Sequence, residues 1–157
     1  MQAVNGKRIA ASGTILVSLV VILATSGCLG GAEAVCRYDF SVSTTTHIGQ
    51  YYESLDEYQW EASAGNKFAV VTIRIVNDAE KSVSTNAFYW TLTVSGVGYT
   101  AHTATWDDSI GYQVVDVGKG ADFTTKVVYE VPASASSYFL SYQGYDAPKM
   151  AQDSSLL

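Results

Sequence analysis

Lys67-Phe-Ala-Val-Val-Thr-Ile-Arg-Ile-Val-Asn77 alternates Ala69, Val71, Ile73 and Ile75 on one face with Val70, Thr72, Arg74 and Val76 on the other. A period of two is that of a half-buried strand, not of a helix. The same alternation recurs on both sides of this stretch. Tyr38, Phe40 and Val42 share a face, as do Phe88, Trp90, Leu92 and Val94. Thr125, Val127, Tyr129 and Val131 form a third such row before Pro132, and Tyr138, Leu140 and Tyr142 a fourth. Gly96-Val-Gly98 breaks the pattern before Tyr99 and predicts a hairpin. Residues 53–58 have room for one helical turn, and past residue 37 no longer helical period is sustained. These rows predict an all-β fold: an antiparallel β-sandwich of about seven strands over residues 37–143, with 144–157 left as a tail.

The chain of 157 residues has a net charge of −6, but the charge is unevenly placed. Residues 1–27 hold two of the nine basic residues, Lys7 and Arg8, and none of the fifteen acidic ones, so the remainder carries −8. Every Phe, Trp and Tyr lies at or beyond Tyr38. An acidic domain has the wrong sign for a broad phosphate-neutralising surface, which argues against nucleic acid as a partner.

Lys7-Arg8, a long apolar run and Thr25-Ser26-Gly27 before Cys28 have the layout of a signal peptide. The stretch Ser26-Gly27-Cys28 resembles a prokaryotic lipobox, with Thr25 where that pattern prefers an aliphatic residue. The resemblance implies cleavage before Cys28 and a lipid on its sulfur. Two other readings fit the same residues. The uncharged run 9–29, at about 1.5 Å per residue, is long enough to span a bilayer as a retained helix, and plain secretion would leave no anchor. Lipid or helix would tether the domain at the extracellular face of the cell membrane, with Lys7 and Arg8 on the cytoplasmic side. Residues 28–36, with Gly30-Gly31, read as a linker. Cys36 either closes a loop with Cys28 or, if Cys28 is lipidated, is a small buried apolar residue.

Tyr58-Gln-Trp60, Ala64-Gly65-Asn66-Lys67-Phe68 through Asn77, Val83-Ser84 and Gly118 through Val131-Pro132 resemble the telokin-like, immunoglobulin-type domain of unknown function found in secreted prokaryotic lipoproteins. The resemblance covers roughly residues 38–142. It implies an immunoglobulin-like sandwich outside the cell and supplies no catalytic residue, because its recurrent positions set turns and core.

Candidate chemistry is sparse. His47 and His102 stand far apart, and no nucleophile elbow, phosphate loop or zinc motif is present; no cofactor and no enzymatic activity are expected. Asp107 and Asp108, with Asp116 beyond, are weak candidates for calcium, which needs six to eight oxygens. Glu53, Asp56, Glu57 and Glu61 form a second acidic group, read as a solvated loop. Residues 82–106 contain no Asp, Glu, Lys or Arg. Their neutral, hydroxyl-rich face, with Tyr89, Tyr99 and Trp106, is the candidate contact surface for an envelope protein or a glycan. The expected function is therefore a membrane-anchored binding or structural module. A filament or envelope-assembly subunit held by an uncleaved helix is the alternative, and an ion or small-ligand carrier a weaker one.

Overall fold

A computed structural model describes residues 34–157. The expected leader, its apolar helix and Cys28 lie outside these residues.

Eleven strands lie among the described residues: β1 (Cys36–Thr45), β2 (His47–Tyr52), β3 (Glu57–Glu61), β4 (Asn66–Asn77), β5 (Val83–Ser84), β6 (Trp90–Val94), β7 (Val97–Tyr99), β8 (Asp116–Val117), β9 (Ala121–Pro132), β10 (Phe139–Tyr142) and β11 (Met150–Gln152). Two short 3-10 turns, Ala87–Tyr89 and Thr103–Trp106, interrupt them. Seven strands form the two principal sheets, ordered β11-β1-β4-β9 and β10-β6-β7, and two further pairs, β2-β3 and β5-β8, flank them.

The β4 stretch lies at the centre of the first sheet, with Val71 opposite Val42 in β1 and Val127 in β9. Its predicted inner row, Ala69, Val71, Ile73 and Ile75, is fully buried. This row meets Trp90, Leu92 and Val94 of β6 and Leu140 of β10 in one core. Each large aliphatic side chain removed from water there contributes about 1.5–3 kcal/mol. The tyrosines at the sheet interface keep their hydroxyls satisfied: Tyr38 donates to the Leu140 carbonyl at 2.9 Å and Tyr129 to the Trp90 carbonyl at 3.3 Å.

At one end the first sheet is buried on both faces. Phe68 and Val128 point away from the main core and pack with Ile48, Ala104 and Ile110 in a second cluster. The β2-β3 hairpin and the second 3-10 turn supply that cover. Thr105 and His102 also close the free edge of β9, where the Thr105 hydroxyl accepts from the Val128 amide at 3.0 Å and the His102 amide donates to the Val128 carbonyl at 2.7 Å.

The structure departs from the sequence expectations at five points. Residues 144–157 are not a loose tail: β11 extends the first sheet, and Asp153 pairs with Arg37 at 3.1 Å. The β1-β11 pairing is parallel, so the sandwich is not wholly antiparallel. Phe88 is 67% exposed and leaves the inner row, because the Asn86 side chain accepts from the Phe88 amide and turns the chain into a 3-10 conformation before β6 begins. The β6-β7 turn is Ser95-Gly96, both at positive φ (50° and 82°), with Val97 and Gly98 already in β7. This is the backbone that a two-residue hairpin requires. Residues 53–56 form the tip of the β2-β3 hairpin, not a helical turn. Among the described residues no helix is long and apolar enough to cross a membrane.

Candidate functional site

A concavity of about 580 Å³ lies where the β5-β8 pair meets the loop after β10. Asn77 builds one wall. This side chain is fully buried, donates to the carbonyls of Lys81 and Val117 at 2.8 Å each, and accepts from the Ala79 amide at 3.0 Å. A single amide thereby fixes the course of residues 79–81 against β8, which a β-turn alone would leave to its own backbone bonds.

The opposite wall is the 143–149 loop. Gly144 lies so close to the Tyr142 ring and hydroxyl that any Cβ there would collide with them. The Gln143 amide donates to the Tyr89 carbonyl at 2.7 Å, and the Tyr142 hydroxyl to the Ser84 carbonyl at 3.1 Å. Lys81 and Asp146 form an ion pair between the two walls. Tyr89 and Tyr142 meet edge to face with ring centroids 6.0 Å apart. Tyr145, 95% exposed, stands free at the rim.

The lining is mostly polar and the mouth open. Burial pushes the Tyr142 hydroxyl up to about 12, so it remains a neutral donor at physiological pH. Glu80 pairs with Lys119 just outside, whereas Asp116 has no ion pair among the described residues. The arrangement offers ring faces, hydroxyls and a carboxylate to a ligand.

The three aromatics expected to share a surface do not converge. Tyr89 lines this groove. Tyr99 lines a smaller concavity of about 240 Å³ beside the 132–137 segment. Trp106, 46% exposed, packs on Phe88 at 5.3 Å and Tyr112 at 5.8 Å. The groove residues that the sequence did not single out, Tyr142, Tyr145 and Asp146, lie on or just beyond β10. The cluster Tyr142-Gln-Gly-Tyr-Asp146, with a glycine between two tyrosines, is the signal that marks them.

Asp107 is occupied in the fold itself. One carboxylate oxygen accepts from the Ser109 amide at 2.9 Å and hydroxyl at 2.6 Å, and the other from the Trp60 indole at 3.2 Å. The Ser109 hydroxyl above all holds this carboxyl below the usual range. Asp108 is exposed beside it. Among the described residues no three His, Cys, Asp or Glu side chains are grouped to hold a metal. His102 accepts from the Ala104 amide through Nδ1 at 3.1 Å, and its Nε2 lies 3.6 Å from Glu130. His47 stacks on Tyr58 at 3.9 Å. Cys36 is fully buried, and burial pushes its thiol up to about 11.

The model of a family described as "Domain of unknown function (DUF4352)" matches residues 38–153. The chain belongs to the DUF4352 family. Its match runs from the third residue of β1 to the residue just after β11, so the closing strand is inside the DUF4352 unit. No curated protein matches the chain in sequence. Among solved structures, the "putative lipoprotein (ycdA)" of Bacillus subtilis subsp. subtilis str. 168 is similar in fold, with a TM-score of 0.53 and 16% identity over 74% of this chain. The match spans 34% of that protein, about a third of its length.

Proposed function

We propose that this DUF4352 chain is a lipid-anchored module of the cell envelope, a telokin-like, immunoglobulin-type sandwich that binds a partner without catalysing a reaction. Its carrying observation is the placement of Cys28, which ends the apolar run and precedes the first residue of β1, Cys36, by only a short small-residue segment. A lipid on that sulfur would leave Gly30-Gly31 as the flexible reach between membrane and sandwich. The fold likeness to the "putative lipoprotein (ycdA)" of Bacillus subtilis supports the same reading. The domain would stand at the extracellular face, and the groove beneath Tyr145 would be its binding surface.

Intact-mass measurement on the membrane-extracted protein tests this reading. The expected product starts at Cys28 and carries the added mass of lipid, and Cys28→Ala abolishes it. A mature chain that still includes residues 1–27 would overturn the anchor and favour a helix-held subunit.

A further inference from the structure

Resting on the reading of a non-catalytic envelope module, we propose that the groove between Tyr89 and Tyr145 is a carbohydrate site for uncharged oligosaccharides. Three features of the groove point to that chemistry. First, its aromatic residues are all tyrosines, and a tyrosine combines an apolar ring with a hydroxyl. A pyranose has the matching character, a face rich in C–H bonds and a rim of hydroxyls. Tyr145, almost wholly exposed, carries far more apolar surface in water than a loop tip needs, and a stacked sugar face would cover it.

Second, the polar groups are of the kind that hold hydroxyls. Asp116 offers a carboxylate with no ion pair among the described residues, and a carboxylate oxygen accepts strongly from a sugar O–H. Ser84 lines the same wall, its hydroxyl accepting from the Asn86 amide at 3.4 Å. Third, the charge selects among saccharides. With Glu80 paired to Lys119 and Asp146 to Lys81, Asp116 gives the groove a net negative charge, which repels sulfated, phosphorylated or acidic sugars. A volume of about 580 Å³ exceeds what one pyranose fills and lies within the range of small-molecule sites. The groove is mostly polar and open, which suits a solvated ligand more than a lipid tail.

The walls are fixed before any ligand arrives. Asn77 pins one, and Gly144 against Tyr142 sets the other, so little ordering cost falls on binding.

A glycan array probed with the full-length protein in detergent tests the site. It carries uncharged, amine-bearing and sulfated oligosaccharides, with oligolysine as a basic peptide. Retention of uncharged sugars is expected, followed by calorimetry with the best one. Tyr145→Ala and Asp116→Asn should each weaken it roughly tenfold with an unchanged melting temperature. Phe139→Ala, an exposed ring on the outer face of the second sheet, should leave affinity as it is. Retention of no uncharged sugar overturns the proposal, as does full affinity in Tyr145→Ala. A salt-sensitive preference for oligolysine overturns it too and assigns the groove to a basic peptide. Lipid on Cys28 without sugar binding defeats this site and leaves the anchored module standing; sugar binding by a chain that keeps residues 1–27 does the reverse.

Discussion

The Tyr38 hydroxyl of β1 reaches across the sandwich to the main-chain carbonyl of Leu140 in β10, 102 residues away, at 2.9 Å in a buried setting. It joins an edge strand of the smaller sheet to the interior of the larger one. Tyr38→Phe keeps the ring and its edge-to-face contact with Trp90 but leaves that carbonyl without its donor. The expected cost is about 1–2 kcal/mol, read as a lower urea midpoint with unchanged slope.

Thr125 faces the core from β9, and its hydroxyl has no hydrogen-bond partner among the described residues. Thr125→Val keeps shape and branching while removing a desolvated polar group. It should raise stability by about 1 kcal/mol. A lower melting temperature in calorimetry would show that the hydroxyl is satisfied.

Gly49 sits at φ +84°, and a Cβ there would stand 2.7 Å from the Asp107 carboxylate. Gly96 has a similar φ of +82° with nothing near it. Gly96→Ala therefore measures the backbone cost alone, about 1 kcal/mol. Gly49→Ala should cost at least 1 kcal/mol more, because it also displaces Asp107 from the Trp60 indole. Equal losses in urea titration would mean that the hairpin shifts freely.

Acid should weaken the fold through Asp107 and Glu130. Burial pushes the Glu130 carboxyl up, but the bonds from Asn66 and Ser63 outweigh it, so both carboxyls titrate below their ordinary range. A folded pKa below the unfolded one gives stability that is present above the unfolded value, about 4, and lost as pH falls through the folded value. Melting temperature should drop between about pH 4 and pH 2. Asp107→Asn and Glu130→Gln should each flatten that drop, and parallel curves would refute the assignment.

The Cys36 thiol, buried and raised to about 11, should resist alkylation at pH 8. In a Cys28→Ser chain, labelling by iodoacetamide is expected to be at least a hundredfold slower folded than in urea. Comparable rates would place Cys36 at the surface.

The sandwich was legible in sequence because one-sided burial imposes period two, and β4 keeps it from Ala69 to Asn77 and β9 on either side of Val128. Phe68 and Val128 were harder to place, since cover on both faces removes the alternation just where it would be read. Phe88 continued the row of Trp90 and Leu92 on paper, but one side-chain bond from Asn86 moved it to solvent. Met150–Gln152 is too short to show a pattern and owes its strand to β1. The groove was least legible of all. It is assembled from residues near 80, 89, 116 and 145, of which only the Tyr142–Asp146 cluster stands out in sequence, and only the fold makes them neighbours.

The pairing of Cys36 with both Asn77 and Met150 has a mechanical consequence. The Val35 carbonyl accepts from the Asp78 amide, the Cys36 amide donates to the Lys149 carbonyl, and Arg37 bridges Asp78 and Asp153. Residues 78 and 149 lead within a few positions into the two walls that flank the ion pair of Lys81 and Asp146. In a tethered protein, tension between a captured ligand and residue 34 would be borne by these few short-range bonds. The rest of the sandwich would lie off the line of pull, and rupture would begin at the entry of β1 before it reached the core.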